Sequence, residues 1–416
     1  MNSNDNISAT EVCVTSASAT LCSHVILKAY RFRIYPNAEQ RELLAKHFGC
    51  CRFVYNRYLA ERKAAYETDK TSLGYCVNAH SLALLKKTEE FAWLGEVYSH
   101  ALQASLKNLD GAYQKFFKKQ TAFPRFHAKH GKQSCTFPDN ARVVDGGLKL
   151  PKFKTPIRME MHRPIDGEVH SVTVSLTPQG KYYASILAET EQEFLPHTDS
   201  VVGIDLGIKD LAVCSNGERI ANPKFLEHAE RHLKHLQRQV SRKVKGSESR
   251  RRARGVLSRF HERIANRRSD YVHKFTTRMV RENQAVCVED LNVKGMESNH
   301  CLAKSVSSAS FGEIVRQLEY KCRWYGRGFV KVGRFYPSSK TCHGCGHVYD
   351  GLKLSDREWV CPSCGAVVDR DLNAALNILG RGIEILSGCG TQSDVKRKRA
   401  EASGLPESMK HEAHRL

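Results

Sequence analysis

The amino-acid sequence predicts an α/β domain that gathers acidic residues at its strand ends and carries a small cysteine ribbon, preceded by amphipathic helices and a small β-barrel or sheet. Three observations predict it. Asp205 and Glu289 each close a short apolar β-type run (VVGID, AVCVE), and Asp371 stands at the start of the helical pattern DRDLNAALNIL. Cys342, Cys345, Cys361 and Cys364 form two C-x2-C pairs, each followed by a glycine, Gly346 and Gly365. Upstream, SVTVSL and KYYASILA are β-type runs separated by the turn TPQG.

Composition narrows the partners. The 416-residue chain holds 65 Lys and Arg against 44 Asp and Glu, a net charge of +21, which points to a polyanion, with nucleic acid foremost. No apolar run approaches the ~18 residues of a membrane-spanning helix, so a membrane partner is not expected and a cytoplasmic, nucleoid-associated protein is. The 15 cysteines are odd in number, include the neighbours Cys50 and Cys51, and lie mostly in apolar stretches, unlike a secreted disulfide framework.

Along the chain, residues 1–27 are polar and low in complexity and are expected to form a disordered leader. KAYRFRIYP alternates Tyr30, Phe32 and Ile34 with basic residues and stops at Pro36, a strand pattern. Leu44, Phe48, Cys51, Tyr55 and Leu59 then recur at helical spacing, as do Leu102, Leu106, Leu109 and Tyr113. Between the first two acids, residues 231–274 contain fifteen Lys or Arg and only Glu248, Glu262 and Asp270 as acids. This stretch is expected to be a long helix or helical hairpin lying on a phosphate backbone through Arg250, Arg251, Arg252, Arg254, Arg267 and Arg268; a merely solvated charged face is the alternative. A further amphipathic helix begins at Phe311, GFVKVGRFY reads as a strand, and residues 387–416 read as a flexible tail.

The acids and the cysteines suggest different metals. Strand-end carboxylates followed by a helix-start carboxylate are the order in which a ribonuclease-H-like domain supplies its acids, and carboxylates about 4 Å apart repel by roughly 4 kcal/mol, so a divalent cation is their natural partner. Two such ions can clamp the attacking and leaving oxygens of a phosphodiester. The alternative is that Asp205 and Asp371 are turn or cap residues and Glu289 is solvated; Asp371 is the weakest of the three, because Asp369 lies two residues before it. The four cysteines have the spacing of a closed tetrahedral zinc site, in which the metal is structural; a redox pair is the competing reading, although one pair would suffice for that.

These residues resemble the insertion-sequence-encoded TnpB (OrfB) family, relatives of the type V CRISPR effector nucleases. The resemblance rests on KAYRFRIYP, AFPRFHAKH, GIDLGIKDLAV, EDLNVKGM, LAKSVSSASFGEIVRQLEYKCRWYGR, YPSSKTCHGCG and DRDLNAALNIL. It implies a RuvC-like catalytic triad of Asp205, Glu289 and Asp371 holding magnesium or manganese, and zinc on Cys342, Cys345, Cys361 and Cys364. It also implies an OB-like wedge β-barrel over 28–39 and 120–199, a helical recognition domain over 40–119, a nuclease domain over 200–335 and 366–386, and a zinc ribbon over 336–365. The implied activity is RNA-guided cleavage of double-stranded DNA next to a short flanking motif, with a guide RNA from the transposon end and a separate transposase of the same element. The chain departs from the family in its leader and in Val368, where many relatives carry histidine or leucine. A nuclease-inactive RNA-guided binder and a strand-transferring transposase are the competing functions. The intact acids argue against the first; the second shares the acidic chemistry.

Overall fold

In the computed structural model, residues 25–300, 303–353 and 355–388 are described, and they fall into two compact units that divide between Gln192 and Glu193. In the first unit the elements are β1 (Val25–Tyr35), α1 (Ala38–Asp69), α2 (Tyr75–Leu85), a 3-10 helix (Glu89–Gly95), α3 (Ser99–Phe117), and then β2 (Gln133–Phe137), β3 (Arg142–Val144), β4 (Gly147–Lys149), β5 (Ile157–Glu160), β6 (Glu168–Leu176) and β7 (Tyr182–Glu191). The strands form one antiparallel sheet in the order β2-β6-β7-β1-β5-β4-β3. No pairing among the described residues closes β2 onto β3, so the expected barrel is an open sheet.

Helix α1 starts on a capping box: Asn37 accepts from the Gln40 backbone N–H while the Gln40 side chain accepts from the Asn37 N–H. Its stripe Leu44, Phe48, Cys51, Tyr55 and Leu59 is buried, as are Leu102, Leu106 and Leu109 of α3. These side chains pack with Phe32, Phe137 and Ile186 of the sheet in one hydrophobic core. The helical region expected as a separate recognition domain therefore shares its core with the sheet, because its apolar stripe has no other surface to cover it.

Two boundaries shift. Residues 25–27, assigned to the leader, belong to β1, because Val25, Ile26 and Leu27 pair with Glu191, Thr190 and Glu189. Residues 193–199, assigned to the wedge domain, belong to the second unit. The rest of the expected leader and tail, 1–24 and 389–416, lies outside the described residues.

The second unit contains β8 (Val201–Asp205), β9 (Asp210–Cys214), β10 (Arg219–Ala221), α4 (Phe225–Ser241), α5 (Glu248–Glu282), β11 (Ala285–Glu289), α6 (Val293–Ser298), α7 (Ala303–Ala309), α8 (Phe311–Trp324), β12 (Gly328–Val332), β13 (Glu358–Val360), β14 (Val367–Asp369) and α9 (Arg370–Ser387). Its main sheet runs β10-β9-β8-β11-β12, with β8, β11 and β12 parallel. The basic stretch forms the hairpin α4–α5, and α5 buries Val272, Phe275, Met279 and Val280 in a core with Ile314 and Leu318 of α8.

Candidate active site and metal centre

Parallel pairing sets the first two acids side by side. Val288 of β11 is level with Ile204 of β8, and the same register continued by one residue brings Glu289 level with Asp205. Helix α9 lies against these strands at a distance only glycine permits. A Cβ on Gly203 would sit 2.3 Å from the Ala375 carbonyl oxygen, and one on Gly382 would sit 2.2 Å from Cys287 Sγ. Asp371, in the first turn of α9, is thereby carried to the same end of the sheet.

The three acids interact electrostatically. Burial first, then the charges of Glu289 and Asp371, push the Asp205 carboxyl up to about 7 against the pull of Arg370. Burial, with Asp290 next, raises Glu289 as well. Asp369 is the helix cap, its Oδ1 accepting from the Leu372 N–H at 2.8 Å, so the acid two residues before Asp371 already has a structural task.

Two arginines that sequence reading did not single out converge on this corner. Arg357, just before β13, places Nη1 3.3 and 3.4 Å from the two Asp371 carboxylate oxygens. Arg219 of β10 bonds Asp369 at 2.7 Å and lies 4.0 Å from Asp371 and 3.4 Å from Asp210. Neither had a local signal, since each is a lone arginine on a short strand or beside one.

The four cysteines form a closed cluster, with every sulfur within 4.8 Å of the others. Sγ–Sγ distances are 3.7 Å for Cys342–Cys364 and 3.6 Å for Cys345–Cys361. A tetrahedron with Zn–S near 2.3 Å has edges of about 3.8 Å, whereas a disulfide needs about 2.05 Å. The two knuckles are built alike. Gly346 and Gly365 donate to the carbonyls of Cys342 and Cys361 at 2.8 and 2.9 Å, each with a left-handed φ, of 75° and 71°. Among the described residues this is the one clustered set of metal-type donors so compact.

The ribbon is bolted to α9 by two buried asparagines. Asn373 Oδ1 accepts from the His343 N–H at 2.8 Å, and the Asn373 and Asn377 amides donate to the Thr341 carbonyl at 2.7 and 2.6 Å. His343 thus contributes its backbone here, and its ring lies 3.4 Å from Asn377 Oδ1. The cysteine cluster and Asp371 are joined through a single helix.

On the basic hairpin the expected phosphate contacts divide. Arg254 and Arg267 are exposed and make no ion pair or hydrogen bond with other described residues. Arg251 grips Glu248 with two bonds, of 2.6 and 2.8 Å, and Arg252 bonds the same acid at 3.2 Å. Arg250 donates to the Lys243 carbonyl at 2.7 Å and closes the α4–α5 turn; Arg268 donates to the Ser307 carbonyl at 3.1 Å.

Residues 185–300, which include Asp205 and Glu289, match the OrfB family of insertion sequence 605, described as "Probable transposase". Residues 311–378, with Asp371 and the cysteines, match a "Cas12f1-like, TNB domain". A Streptomyces pristinaespiralis protein named "Putative RNA-guided DNA endonuclease" is 41% identical over 394 residues, covering 94% of this chain and 97% of that protein. The chain belongs to the TnpB (OrfB) family. Another member, from Escherichia coli K12, named "Putative RNA-guided DNA endonuclease InsQ", is 34% identical over 88% of this chain and 94% of its own length. The fold is similar to that in a cryo-EM structure of a Cas12f1-sgRNA-target DNA complex, with a TM-score of 0.54, 13% identity, and coverage of 85% of this chain and 98% of that one. A third family match, "Helix-turn-helix domain" over 26–71, falls in this TnpB chain on strand β1 and the single long helix α1.

Proposed function

We propose that this TnpB protein is an RNA-guided DNA endonuclease in which Asp205, Glu289 and Asp371 form the catalytic acids of a RuvC-type, ribonuclease-H-like domain. The observation that carries the reading is the parallel register that brings Glu289 level with Asp205, with Asp371 on the helix packed against the same strands. A donor set of three carboxylates, all oxygen, suits magnesium or manganese. Bound there, a pair of divalent ions would supply charge stabilisation for both the attacking and the leaving oxygen of a phosphodiester. The chain's own part is positional: β8 and β11 fix two acids in register, α9 brings the third, and Arg357 with Arg219 hold the Asp371 side.

Zinc on Cys342, Cys345, Cys361 and Cys364 would be structural, because four protein sulfurs leave no position for water. Its contribution to cleavage runs through Asn373 and Asn377, which tie the first knuckle to the helix bearing Asp371. Sequence choice would come from base pairing between guide and target, while the protein reads backbone and shape through exposed cations such as Arg254 and Arg267. A soluble, cytoplasmic setting fits this reading, and among the described residues no helix is long and apolar enough to cross a membrane.

Purified protein carrying its co-purified RNA, mixed with matched DNA and magnesium, is expected to cut the DNA, and ribonuclease treatment beforehand to abolish cutting. Cleavage that survives RNA removal would refute guiding; DNA joining in place of cutting would favour the transposase reading.

A further inference from the structure

Residues 111–138 contain no acid, yet hold Lys115, Lys118, Lys119, Arg125, Lys129 and Lys132. All six cations are exposed, and none makes an ion pair with another described residue. Aromatic rings are interleaved with them. Phe117 is 70% exposed, Phe126 57% and Phe123 42%, and Tyr66 of α1 faces the same region at 58%. Tyr66, Phe116, Phe117 and Phe123 line a groove of about 370 Å³ together with Thr71, Ser72 and the pair Lys63–Glu67, whose charges meet at 3.6 Å.

The groove is built rather than frayed. Phe123 is braced edge-on by Phe116 and Tyr113, each at 85°. Arg62, stacked 4.4 Å over Tyr113 and paired with Asp110 at 2.9 Å, forms the floor. Downstream, Asn56 clamps the His127 backbone through bonds of 2.7 and 2.9 Å, and the His127 ring stacks on Tyr55 at 3.9 Å. The irregular segment is therefore held to α1, and its aromatic faces are ordered before any ligand arrives.

We propose that this groove is a stacking site for an unpaired nucleotide of single-stranded RNA, with the base on Phe117 and Tyr66 and the flanking phosphates on Lys115 and Lys118. Stacking accepts any base, since each has a π-face, and the cations supply sequence-independent attraction. Thr71 and Ser72 offer hydroxyls that can pair with a ribose 2′-OH, the group that distinguishes RNA from DNA. A second copy of the chain is disfavoured as occupant, because it would bring like charges of a +21 protein together. The proposal rests on the RNA-guided reading above but assigns a site outside its catalytic corner.

The test uses the full-length protein with its co-purified RNA, and the same protein stripped of RNA at high salt. Ultraviolet cross-linking of the first should place nucleotides on Tyr66, Phe117 or Phe123. With the second, Phe117→Leu should weaken binding of an unstructured RNA oligonucleotide about tenfold, the scale of one stacked base, while Phe117→Trp retains it. Duplex RNA affinity and the melting temperature should not change. Lys115→Gln with Lys118→Gln should flatten the slope of log K against log salt by about 0.7 per contact. Unchanged RNA affinity in Phe117→Leu would overturn the proposal, as would equal binding of single-stranded DNA, or a concentration-dependent dimer that Phe117→Leu abolishes. If guided cleavage persists while Phe117→Leu binds RNA normally, this site fails alone; if the wild type neither binds RNA nor cleaves, the underlying reading fails.

Discussion

Asn373 accepts a hydrogen bond from the His343 backbone at 2.8 Å, joining the cysteine ribbon to the helix that carries Asp371. In the proposed function, a metal on the cysteines that takes no part in the chemistry would set the position of a catalytic acid through this bond. Asn373→Ala would leave the His343 N–H unsatisfied in a part-buried place and remove one of the two amide donors to the Thr341 carbonyl, at a cost of about 1–3 kcal/mol. Metal content measured by elemental analysis should stay at wild-type level while cleavage falls. By contrast, Cys361→Ser should lower zinc content itself, and well-folded wild-type protein free of zinc would contradict the four-thiolate assignment.

Two glycines in one helix provide a matched pair. Gly382→Ala places a methyl 2.2 Å from buried Cys287 Sγ, whereas Gly380→Ala meets nothing within 4 Å. The first should lower the melting temperature, by overpacking of about 1–3 kcal/mol, and the second should raise stability by up to about 1 kcal/mol through helix propensity. Equal effects would mean that α9 does not lie against β11 as described.

Asp205 gives a pH signature. Its folded-state value of about 7 lies above the ordinary 3.8, so between those values the folded protein keeps a proton that the unfolded chain has released. That contribution favours the fold at low pH and is lost as pH rises through about 7. In magnesium-free buffer, Asp205→Asn should therefore melt several degrees above wild type at pH 7.5, and the difference should close towards about pH 4. A gap independent of pH would show that the carboxyl is not perturbed.

On the basic hairpin, Arg254→Gln with Arg267→Gln tests phosphate contact more cleanly than changes at Arg250, Arg251 or Arg252, since Arg250 closes a turn and Arg251 and Arg252 hold Glu248. The double variant should weaken matched and mismatched targets alike and reduce the salt slope by up to about 0.9 per lost contact. Unchanged binding and salt dependence would leave this face merely solvated.

Much of the acidic corner's framework and of the cysteine cluster was legible because the signals are local. Apolar runs ending in Asp205 and Glu289 are strands by pattern, the helical stripes from Leu44 and Leu102 are buried as spaced, and the knuckle spacing produced the compact cluster of sulfurs. The missed features depend on residues far apart in the chain. Arg219 meets Asp369 across 150 positions, and Asn377 is buried only because the ribbon folds back onto α9. Likewise, Val25 and Leu27 read as leader because only pairing with β7 makes them a strand, and the helical region read as a separate domain because its core partners, Phe137 and Ile186, lie far downstream.

The central claim is that Asp205, Glu289 and Asp371 act together as the acids of a guided nuclease, and the most direct measurement is single-turnover cleavage of matched DNA by the RNA-bound protein and its single alanine variants, with target binding followed in parallel. The account predicts that each of Asp205→Ala, Glu289→Ala and Asp371→Ala abolishes cutting with target binding near wild type, while Asp369→Ala loses a helix cap of about 0.5–2 kcal/mol and still cuts. Normal cutting by Asp371→Ala together with loss at Asp369→Ala would contradict it.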